Sequence, residues 1–249
     1  MKRKILALLA GLGLPLFAYS AQHCLAMADA DDANGKWLVH EGVCDQRLPP
    51  MSTFKLPLAL MGYDAGVLWD EQAPVLPFKP GYVDWRPVWR QPHGPSTWMK
   101  ESVVWYSQQI TLQLGAERLA AYTRQFNYGN ADVSGDPGKD NGLSESWLGS
   151  SLRISPDEQV AFLRRVLARD LGLEPKAYAM TATLVKWPQT VGGWHVYGKT
   201  GSGKEVGWYI GWLEHTSQAG RRIAFAQAGA GSGMEQRDSF LARLPRLVP

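Results

Sequence analysis

The sequence contains a serine followed three residues later by a lysine, Ser52-Thr-Phe-Lys55, at the start of an apolar run with helical spacing. Residues three apart on a helix share a face, so the lysine lies within reach of the serine hydroxyl. A free serine is a weak nucleophile and needs an adjacent base. A protonated lysine is not a base, so it must lose its charge through burial or be converted chemically into a basic group. The pair therefore predicts nucleophilic catalysis at Ser52, with backbone N–H groups at the helix start available to an oxyanion hole.

Three more short elements follow in order along the chain. Ser102-Val-Val104 begins a predicted helix, Tyr128-Gly-Asn130 ends a helical segment, and Lys199-Thr-Gly201 lies on a predicted strand that continues into Ser202-Gly203. By average composition, a Ser-x-x-Lys pattern occurs about once by chance in a chain of this length, so the ordered co-occurrence of the elements carries the signal. The five histidines fall in no metal-ligand or catalytic-triad pattern, so no metal site is predicted.

The elements that position these residues can be read from periodicity and capping signals. Helical signals are concentrated in the middle of the chain: at 52–62, at 102–126 with a break at Gly115, and after the capping box Ser155-Pro-Asp-Glu158. Strand signals lie at both ends: a hairpin over 23–29 and 36–41 that turns at Asn34-Gly35, then 194–197, 207–214 and 222–227. A closing helix is predicted at 235–244.

Terminal strands that share one sheet around an inserted helical block give an α+β architecture. We expect an antiparallel sheet built from residues 21–50 and 190–249, and a helical region over 51–189. Residues 69–99 are rich in proline and tryptophan and have little periodicity, so they predict a packed irregular segment.

The four elements together resemble the class D serine β-lactamases, the oxacillinases. Class A enzymes and penicillin-binding proteins carry Ser-x-x-Lys, Ser-Asp-Asn and Lys-Thr-Gly. Here Ser102-Val-Val104 and Tyr128-Gly-Asn130 replace Ser-Asp-Asn, which indicates class D. The resemblance covers nearly all of the chain after residue 20 and also includes the stretches 107–109, 128–135, 147–148, 152–155 and 207–212. It implies the fold of serine β-lactamases and penicillin-binding-protein transpeptidases.

The resemblance also implies an activity, the hydrolysis of β-lactams through an acyl-enzyme on Ser52. Lys55 would carry a carbamate formed from CO2 and act as general base in acylation and deacylation. Trp147 would steady the carbamate with its indole N–H, and Val104 would form an apolar wall beside it. Ser102 would relay a proton to the leaving β-lactam nitrogen.

The resemblance places the substrate carboxylate at the C-terminal strand. Lys199 and Thr200 would face it, joined by Arg237 from the closing helix; the alternative for Arg237 is an exposed helix arginine. Backbone N–H groups of Ser52 and of Ser202, which follows Gly201, would form the oxyanion hole. The implied partner is a small-molecule β-lactam, with no metal and no cofactor apart from the carbamate.

Two other classes share parts of this pattern. A β-lactam sensor domain is acylated without turnover, and such sensors have transmembrane helices and a signalling portion. A D,D-peptidase or penicillin-binding protein acts on peptidoglycan peptides, and its middle motif is Ser-x-Asn, which differs from Ser102-Val-Val104. Many turnovers of a chromogenic β-lactam separate a hydrolase from a sensor.

The charge of the chain bears on its partners and its compartment. The sequence has 26 lysine and arginine residues against 23 aspartate and glutamate residues. Lys2, Arg3 and Lys4 supply this excess of three, and the rest of the chain is balanced, which argues against a nucleic-acid binder. These charges open a secretory signal pattern, with an apolar run to Phe17 and small residues near position 20, rather than an uncleaved anchor. We expect cleavage near Ala21, a periplasmic location and no membrane association of the mature enzyme.

Cys24 and Cys44 are the two cysteines of the chain, and they flank the predicted hairpin. An oxidising compartment favours pairing of two such cysteines, and the hairpin would bring them close together. The alternative is a pair of reduced, buried thiols. We therefore predict a Cys24–Cys44 disulfide.

Overall fold

A computed structural model describes residues 23–32, 36–204 and 206–248 of the chain. The strands and helices, in chain order, are β1 (Cys24–Asp29), β2 (Trp37–Gly42), α1 (Lys55–Asp64), α2 (Pro95–Glu101), α3 (Val104–Gln125), α4 (Gly142–Glu145), α5 (Pro156–Ala168), α6 (Pro175–Val185), β3 (Lys186–Val191), β4 (Trp194–Ser202), β5 (Gly207–His215), β6 (Arg222–Gly229) and α7 (Gly233–Leu247). Two 3-10 turns, Met51–Phe54 and Pro87–Trp89, lie among them.

The strands form one sheet in the order β2-β1-β6-β5-β4-β3, with every neighbouring pair antiparallel. The N-terminal hairpin therefore joins the C-terminal strands, as the α+β prediction requires. The strands β5 and β6 lie at the centre and are almost entirely buried. Pro188 lies on the edge strand β3, the position at which a sheet tolerates a residue without an N–H.

Side chains alternate between the two faces of the sheet and divide the core into two layers. Leu25 and Met27 of β1 join Phe225 in a cluster covered by Phe240 of α7, and the rings of Phe225 and Phe240 stack at 4.0 Å. The intervening residues Ala26 and Ala28 belong to the larger cluster shared with the helical region. Small residues on this face let α5 pack closely against β1 and β6.

The capping signals in the sequence operate as predicted. Ser155 Oγ accepts a hydrogen bond from the backbone N–H of Glu158, whose carboxylate accepts from the N–H of Ser155, and Pro156 occupies the first position of α5. Gly115 interrupts α3 with φ of 77°, a left-handed value that suits glycine, so the predicted break is present as a kink.

Three boundaries differ from the sequence predictions. The last strand region begins at Lys186 rather than at 190, because β3 follows α6 directly. Ser52 lies in the 3-10 turn that leads into α1, and not in the α-helix itself. The segment 69–99 is irregular over most of its length but ends in α2, whose start is marked by Pro95 at the first position.

The hairpin and the disulfide are confirmed. Strands β1 and β2 pair antiparallel, and Cys24 and Cys44 are bonded with their Cα atoms 5.2 Å apart. The turn predicted at Asn34-Gly35 and the secretory signal over 1–20 lie outside the described residues. Within the described part of the chain, no helix combines the length and the apolar character that crossing a bilayer would require.

Candidate active site

Ser52 and Lys55 meet at the junction of the 3-10 turn and α1. The Nζ atom of Lys55 lies 3.3 Å from Oγ of Ser52, as the spacing predicts. Lys55 is 1% exposed. Burial, and secondly the charge of nearby Lys199, hold the pKa of Lys55 well below its ordinary value. The amine therefore favours its neutral form, and this condition allows it to act as a base or to react with CO2.

The turn that carries Ser52 is held from several sides. The hydroxyl of Thr53 donates to the carbonyl of Pro50 at 2.6 Å, and the Gln159 amide of α5 donates to the Thr53 hydroxyl at 3.3 Å. The indole of Trp208 on β5 donates to the carbonyl of Pro49 at 3.0 Å. Ser52 is thus positioned by contacts from both the sheet and the helical region.

Trp147 is fixed against the same turn. The backbone N–H of Met51 donates to the carbonyl of Trp147 at 3.0 Å, and the indole stacks on Phe54 at 5.5 Å. Phe54 directly precedes Lys55. The indole Nε1 is buried and has no hydrogen-bond partner among the described residues. A buried N–H without a partner is costly, so this donor is available to an acceptor other than the described residues.

Ser102 and Lys199 form a second polar pair. Ser102 is the C-terminal cap of α2 in a left-handed conformation, with φ of 58°, so it lies between α2 and α3 instead of beginning a helix as predicted. The Nζ atom of Lys199 donates to the Ser102 hydroxyl at 3.0 Å and to the carbonyl of Thr200 at 2.9 Å. Burial, and secondly the positive charge of Arg86, lower the pKa of Lys199 to about 7.

Val104 is the first residue of α3 and is 2% exposed. It belongs to the apolar cluster that also contains Phe54 and Trp147. The apolar wall beside Lys55 stays a prediction from the resemblance.

The strand β4 approaches the 3-10 turn Met51–Phe54 closely at Gly201. A Cβ atom at Gly201 would lie 3.0 Å from the carbonyl of Pro50 and 3.0 Å from Cγ2 of Thr53. A side chain at this position would force the strand or the turn to shift by a few tenths of an ångström, so glycine suits the close approach of β4 to the turn that carries Ser52. The hydroxyl of the next residue, Ser202, accepts a hydrogen bond from the N–H of Gly233 at 2.8 Å and ties β4 to α7.

A cleft of about 540 Å³ opens beside Lys199 and Thr200, with Trp187 and Arg237 also in its lining. Arg237 stacks on the Trp187 ring at 5.1 Å and pairs with Asp238 at 2.7 Å. Its side chain is 21% exposed. Arg237 is thus a partly buried residue of the cleft wall, which places it on the same side as Lys199. Ser52 is not part of this lining.

Tyr128 has a structural position. It is fully buried, and its hydroxyl accepts a hydrogen bond from the Gln159 amide at 3.2 Å. Burial raises the pKa of its phenol. The Gln159 amide therefore links Tyr128 to Thr53 in the turn that carries Ser52.

Arg86 is a charged neighbour of Lys199 that the sequence patterns do not indicate. It lies in the proline- and tryptophan-rich stretch, where there is neither periodicity nor a short motif to mark it. Its proximity arises from the path of the irregular segment back toward α2.

Outside this region, His40, Cys44 and Asp157 bring potential ligand atoms within 4.8 Å of one another. The Cys44 sulfur is bonded to Cys24, and His40 contacts Asp157 at 2.9 Å. This group is an imidazole–carboxylate contact beside a disulfide. The absence of a metal centre stays a prediction from the sequence.

Comparison with known proteins supports the class indicated by these residues. Residues 18–239 match the family model of the penicillin binding protein transpeptidase domain. Beta-lactamase OXA-9 of Klebsiella pneumoniae is 40% identical over 247 residues, which cover 90% of this chain and 88% of that protein. Beta-lactamase OXA-1 of Escherichia coli is 34% identical over 231 residues, covering 88% of this chain and 79% of that protein.

A solved structure extends the similarity to three dimensions. The crystal structure of OXA-427 class D β-lactamase matches with a TM-score of 0.83 at 41% identity and covers 91% of this chain and 100% of that one. Both the sequence relatives and the solved structure are named as β-lactamases, and both span nearly the whole described sheet and helical region. The chain therefore belongs to the class D serine β-lactamases.

Proposed function

We propose that this protein hydrolyses β-lactam antibiotics through an ester formed on Ser52. The observation that supports this most is the buried Lys55 amine, which lies 3.3 Å from the Ser52 hydroxyl and whose pKa burial holds well below its ordinary value. The serine oxygen attacks the β-lactam carbonyl, the ring C–N bond breaks and the serine proton leaves to the base. Water then cleaves the ester, which releases the opened product and restores the hydroxyl.

The surroundings of Lys55 fit a carbamate. A neutral amine reacts with CO2 to give a carbamate and one proton, and the low pKa of Lys55 provides that neutral amine. The indole N–H of Trp147, buried beside Phe54 and without a partner in the part of the chain that the structure describes, supplies a donor for the new oxygens, and Val104 supplies apolar surface. A carbamate at this position would provide a carboxylate-like base next to Ser52.

The proton for the leaving nitrogen comes from Ser102 in this proposal. Its hydroxyl lies 3.0 Å from Nζ of Lys199, so a proton given by Ser102 is replaced by one from Lys199. The pKa of Lys199, about 7, allows that lysine to give and to recover a proton near neutral pH.

The substrate carboxylate binds on the cleft side of this pair. Lys199 and Thr200 line the cleft, and Arg237 adds a second positive charge held in place by Trp187. The oxyanion of the acyl intermediate is assigned to the backbone N–H groups of Ser52 and Ser202. Support for this comes from the close approach of β4 to the turn at Gly201.

Turnover of nitrocefin, a chromogenic β-lactam, tests the proposal against the alternative of a sensor that is acylated once. We expect many product molecules per enzyme, and none from Ser52→Ala. A single burst equal to the enzyme concentration would instead show an acylated protein without hydrolysis. Unchanged turnover in Ser52→Ala would remove the nucleophile from Ser52.

Bicarbonate dependence tests the carbamate separately. Dialysis at mildly acidic pH without CO2 is expected to lower activity, and bicarbonate is expected to restore it. Activity that is indifferent to both treatments would contradict a carbamate on Lys55 without contradicting Ser52 as nucleophile.

The periplasmic location is a proposal as well. The Cys24–Cys44 disulfide is compatible with an oxidising compartment, and the basic start of the sequence is typical of a secretory signal. Mass spectrometry of protein from the periplasmic fraction is expected to find an N-terminus near Ala21. An intact Met1 terminus in the membrane fraction would contradict cleavage.

A further inference from the structure

Arg86 contacts both the backbone and the side chain of Glu101. It directly precedes the 3-10 turn Pro87–Trp89, and its guanidinium donates to the backbone carbonyl of Glu101 at 2.8 Å. A second nitrogen lies 3.4 Å from the Glu101 carboxylate. Glu101 is the residue immediately before Ser102.

The same carbonyl accepts a second donor. The indole N–H of Trp89 reaches the Glu101 oxygen at 3.0 Å. Trp89 is 3% exposed, and its own carbonyl accepts the indole N–H of Trp105 at 3.0 Å. One donor of the pair is therefore fixed in the core, and the other, from Arg86, approaches from the surface.

Two donors on one carbonyl define the orientation of the peptide that links Glu101 to Ser102, because the peptide unit is planar. Ser102 leaves that plane with φ of 58° and ψ of 39°. A left-handed conformation in a residue with a side chain persists only where its surroundings hold it. The orientation of this peptide, together with φ of Ser102, sets where Cβ of Ser102 lies and so from where its hydroxyl reaches Nζ of Lys199, 3.0 Å away.

We propose that Arg86 is a positioning residue for the proton relay: with Trp89 it clamps the Glu101–Ser102 peptide and so holds the Ser102 hydroxyl on Lys199. The inference rests on the proposed function, because it concerns the proton that Ser102 delivers to the leaving nitrogen. Arg86 touches neither the substrate nor the reacting atoms in this proposal.

The charge of Arg86 supplies a readout that a purely structural role would not move. Burial, and secondly the charge of Arg86, lower the pKa of Lys199. The charge of Lys199 in turn contributes to the lowered pKa of Lys55. Loss of the Arg86 charge raises the pKa of Lys199, so the limb of the pH–rate profile governed by Lys199 moves to higher pH.

The experiment compares Arg86→Met, which removes the donors and the charge, with Arg86→Lys, which keeps the charge and one donor. Arg90→Met is the matched control, since Arg90 belongs to the same segment but pairs with Asp84 at 2.8 Å and not with Glu101. Stopped-flow acylation by nitrocefin, steady-state kcat and KM, and the pH profile are measured for each variant.

We expect acylation in Arg86→Met to fall by about tenfold or more, the scale of losing a charge-assisted hydrogen bond, with a smaller change in KM. Arg86→Lys should recover part of that loss and keep the wild-type position of the pH–rate limb that Lys199 governs. The acylation rate of Arg90→Met should stay within about twofold of wild type, as expected for an exposed ion pair. Kinetics of Arg86→Met equal to those of Arg90→Met would overturn the proposal. A loss confined to KM, or a loss without the pH shift, would overturn it as well.

Trp89→Phe keeps the inference testable if Arg86→Met does not fold. It removes the other donor to the Glu101 carbonyl and leaves the Arg86 charge, so acylation should fall while the pH limb stays in place. Wild-type acylation rates from both Arg86→Lys and Trp89→Phe would contradict the clamp. Acylation is measured in a single burst, separately from turnover. Wild-type acylation rates in these variants would therefore contradict only the clamp. Loss of turnover in the wild type, or turnover that does not depend on Ser52, would instead count against the proposed function.

Discussion

At the scale of single residues, the site depends on lysines that the fold keeps away from water. Desolvation lowers the pKa of both Lys55 and Lys199, and each lysine has a serine hydroxyl as a hydrogen-bond partner. The pattern Ser-x-x-Lys predicts the first contact, because it arises within one helical turn. The contact between Lys199 and Ser102 joins residues 97 positions apart, so it follows from the tertiary fold and is absent from any local pattern.

The indole N–H of Trp147, which has no hydrogen-bond partner within residues 23–32, 36–204 and 206–248, leads to a prediction on deacylation. Trp147→Phe keeps an aromatic ring beside Phe54 and removes the N–H, which costs about 1.5–3 kcal/mol if the partner is a charged oxygen. We expect deacylation to slow by about tenfold to a hundredfold, more than acylation, when both rates are measured by stopped flow. Trp194→Phe is the control, since that indole donates to Val248 on the other face of the sheet. Equal losses in both steps would contradict the role of Trp147.

The low pKa of Lys199 predicts how stability depends on pH. Between its folded pKa of about 7 and its ordinary value of 10.5, the unfolded chain binds a proton that the folded chain does not. Stability therefore rises with pH in this window, by up to about 1.4 kcal/mol per pH unit from this group. Relative to wild type, Lys199→Met should be most stable at or below pH 7 and lose that advantage toward pH 10 in denaturant titrations. A difference that stays constant between pH 7 and pH 10 would show that Lys199 titrates normally.

At the scale of elements, local sequence signals predict where most helices and strands lie. They do not predict the features that depend on how these elements pack against one another. The Ser155–Glu158 capping box and the Gly115 break lie where the sequence places them, because each acts within a few residues. The left-handed cap at Ser102 and the strand that begins at Lys186 are not predicted, because tertiary contacts rather than propensity determine both.

The close approach of β4 to the turn that carries Ser52 leads to a prediction at Gly201. Gly201→Ala places a methyl group 3.0 Å from the carbonyl of Pro50, which is backbone and cannot move aside cheaply. We expect kcat/KM to fall by at least about tenfold, because small displacements of reacting groups are costly. Gly203→Ala is the matched control: its methyl group would meet the flexible side chain of Met51 at 3.0 Å and should have a much smaller effect. Equal kinetics in the two variants would contradict the argument.

At the scale of the whole molecule, one sheet unites the two ends of the chain around the helical region. The sequence predicts this arrangement, since strand signals lie at both termini and helical signals lie between them. The excess of three positive charges also has a local explanation in Lys2, Arg3 and Lys4. In the proposed function the substrate carboxylate meets positive charge at Lys199 and Arg237, which line the same cleft.

The disulfide contributes to this terminal arrangement by linking Cys24 of β1 to Cys44, 20 positions later. Constraint of an unfolded loop of this length is worth about 3 kcal/mol. The double variant Cys24→Ala/Cys44→Ala should lose about that free energy of unfolding in urea titrations and keep its kcat at 25 °C. A large loss of kcat in a folded double variant would indicate that the hairpin shapes the active site.

We propose that β-lactams are hydrolysed through an ester on Ser52, and peptide mapping of the acyl-enzyme locates that ester. Trp147→Phe is mixed with benzylpenicillin, quenched in acid, digested and analysed by mass spectrometry beside wild type and Ser52→Ala. We expect the mass of one whole penicillin on the peptide that contains Ser52. This adduct should persist longer in Trp147→Phe than in wild type and be absent from Ser52→Ala. An adduct on any other residue would contradict an ester on Ser52, and an adduct that wild type never releases would contradict hydrolysis.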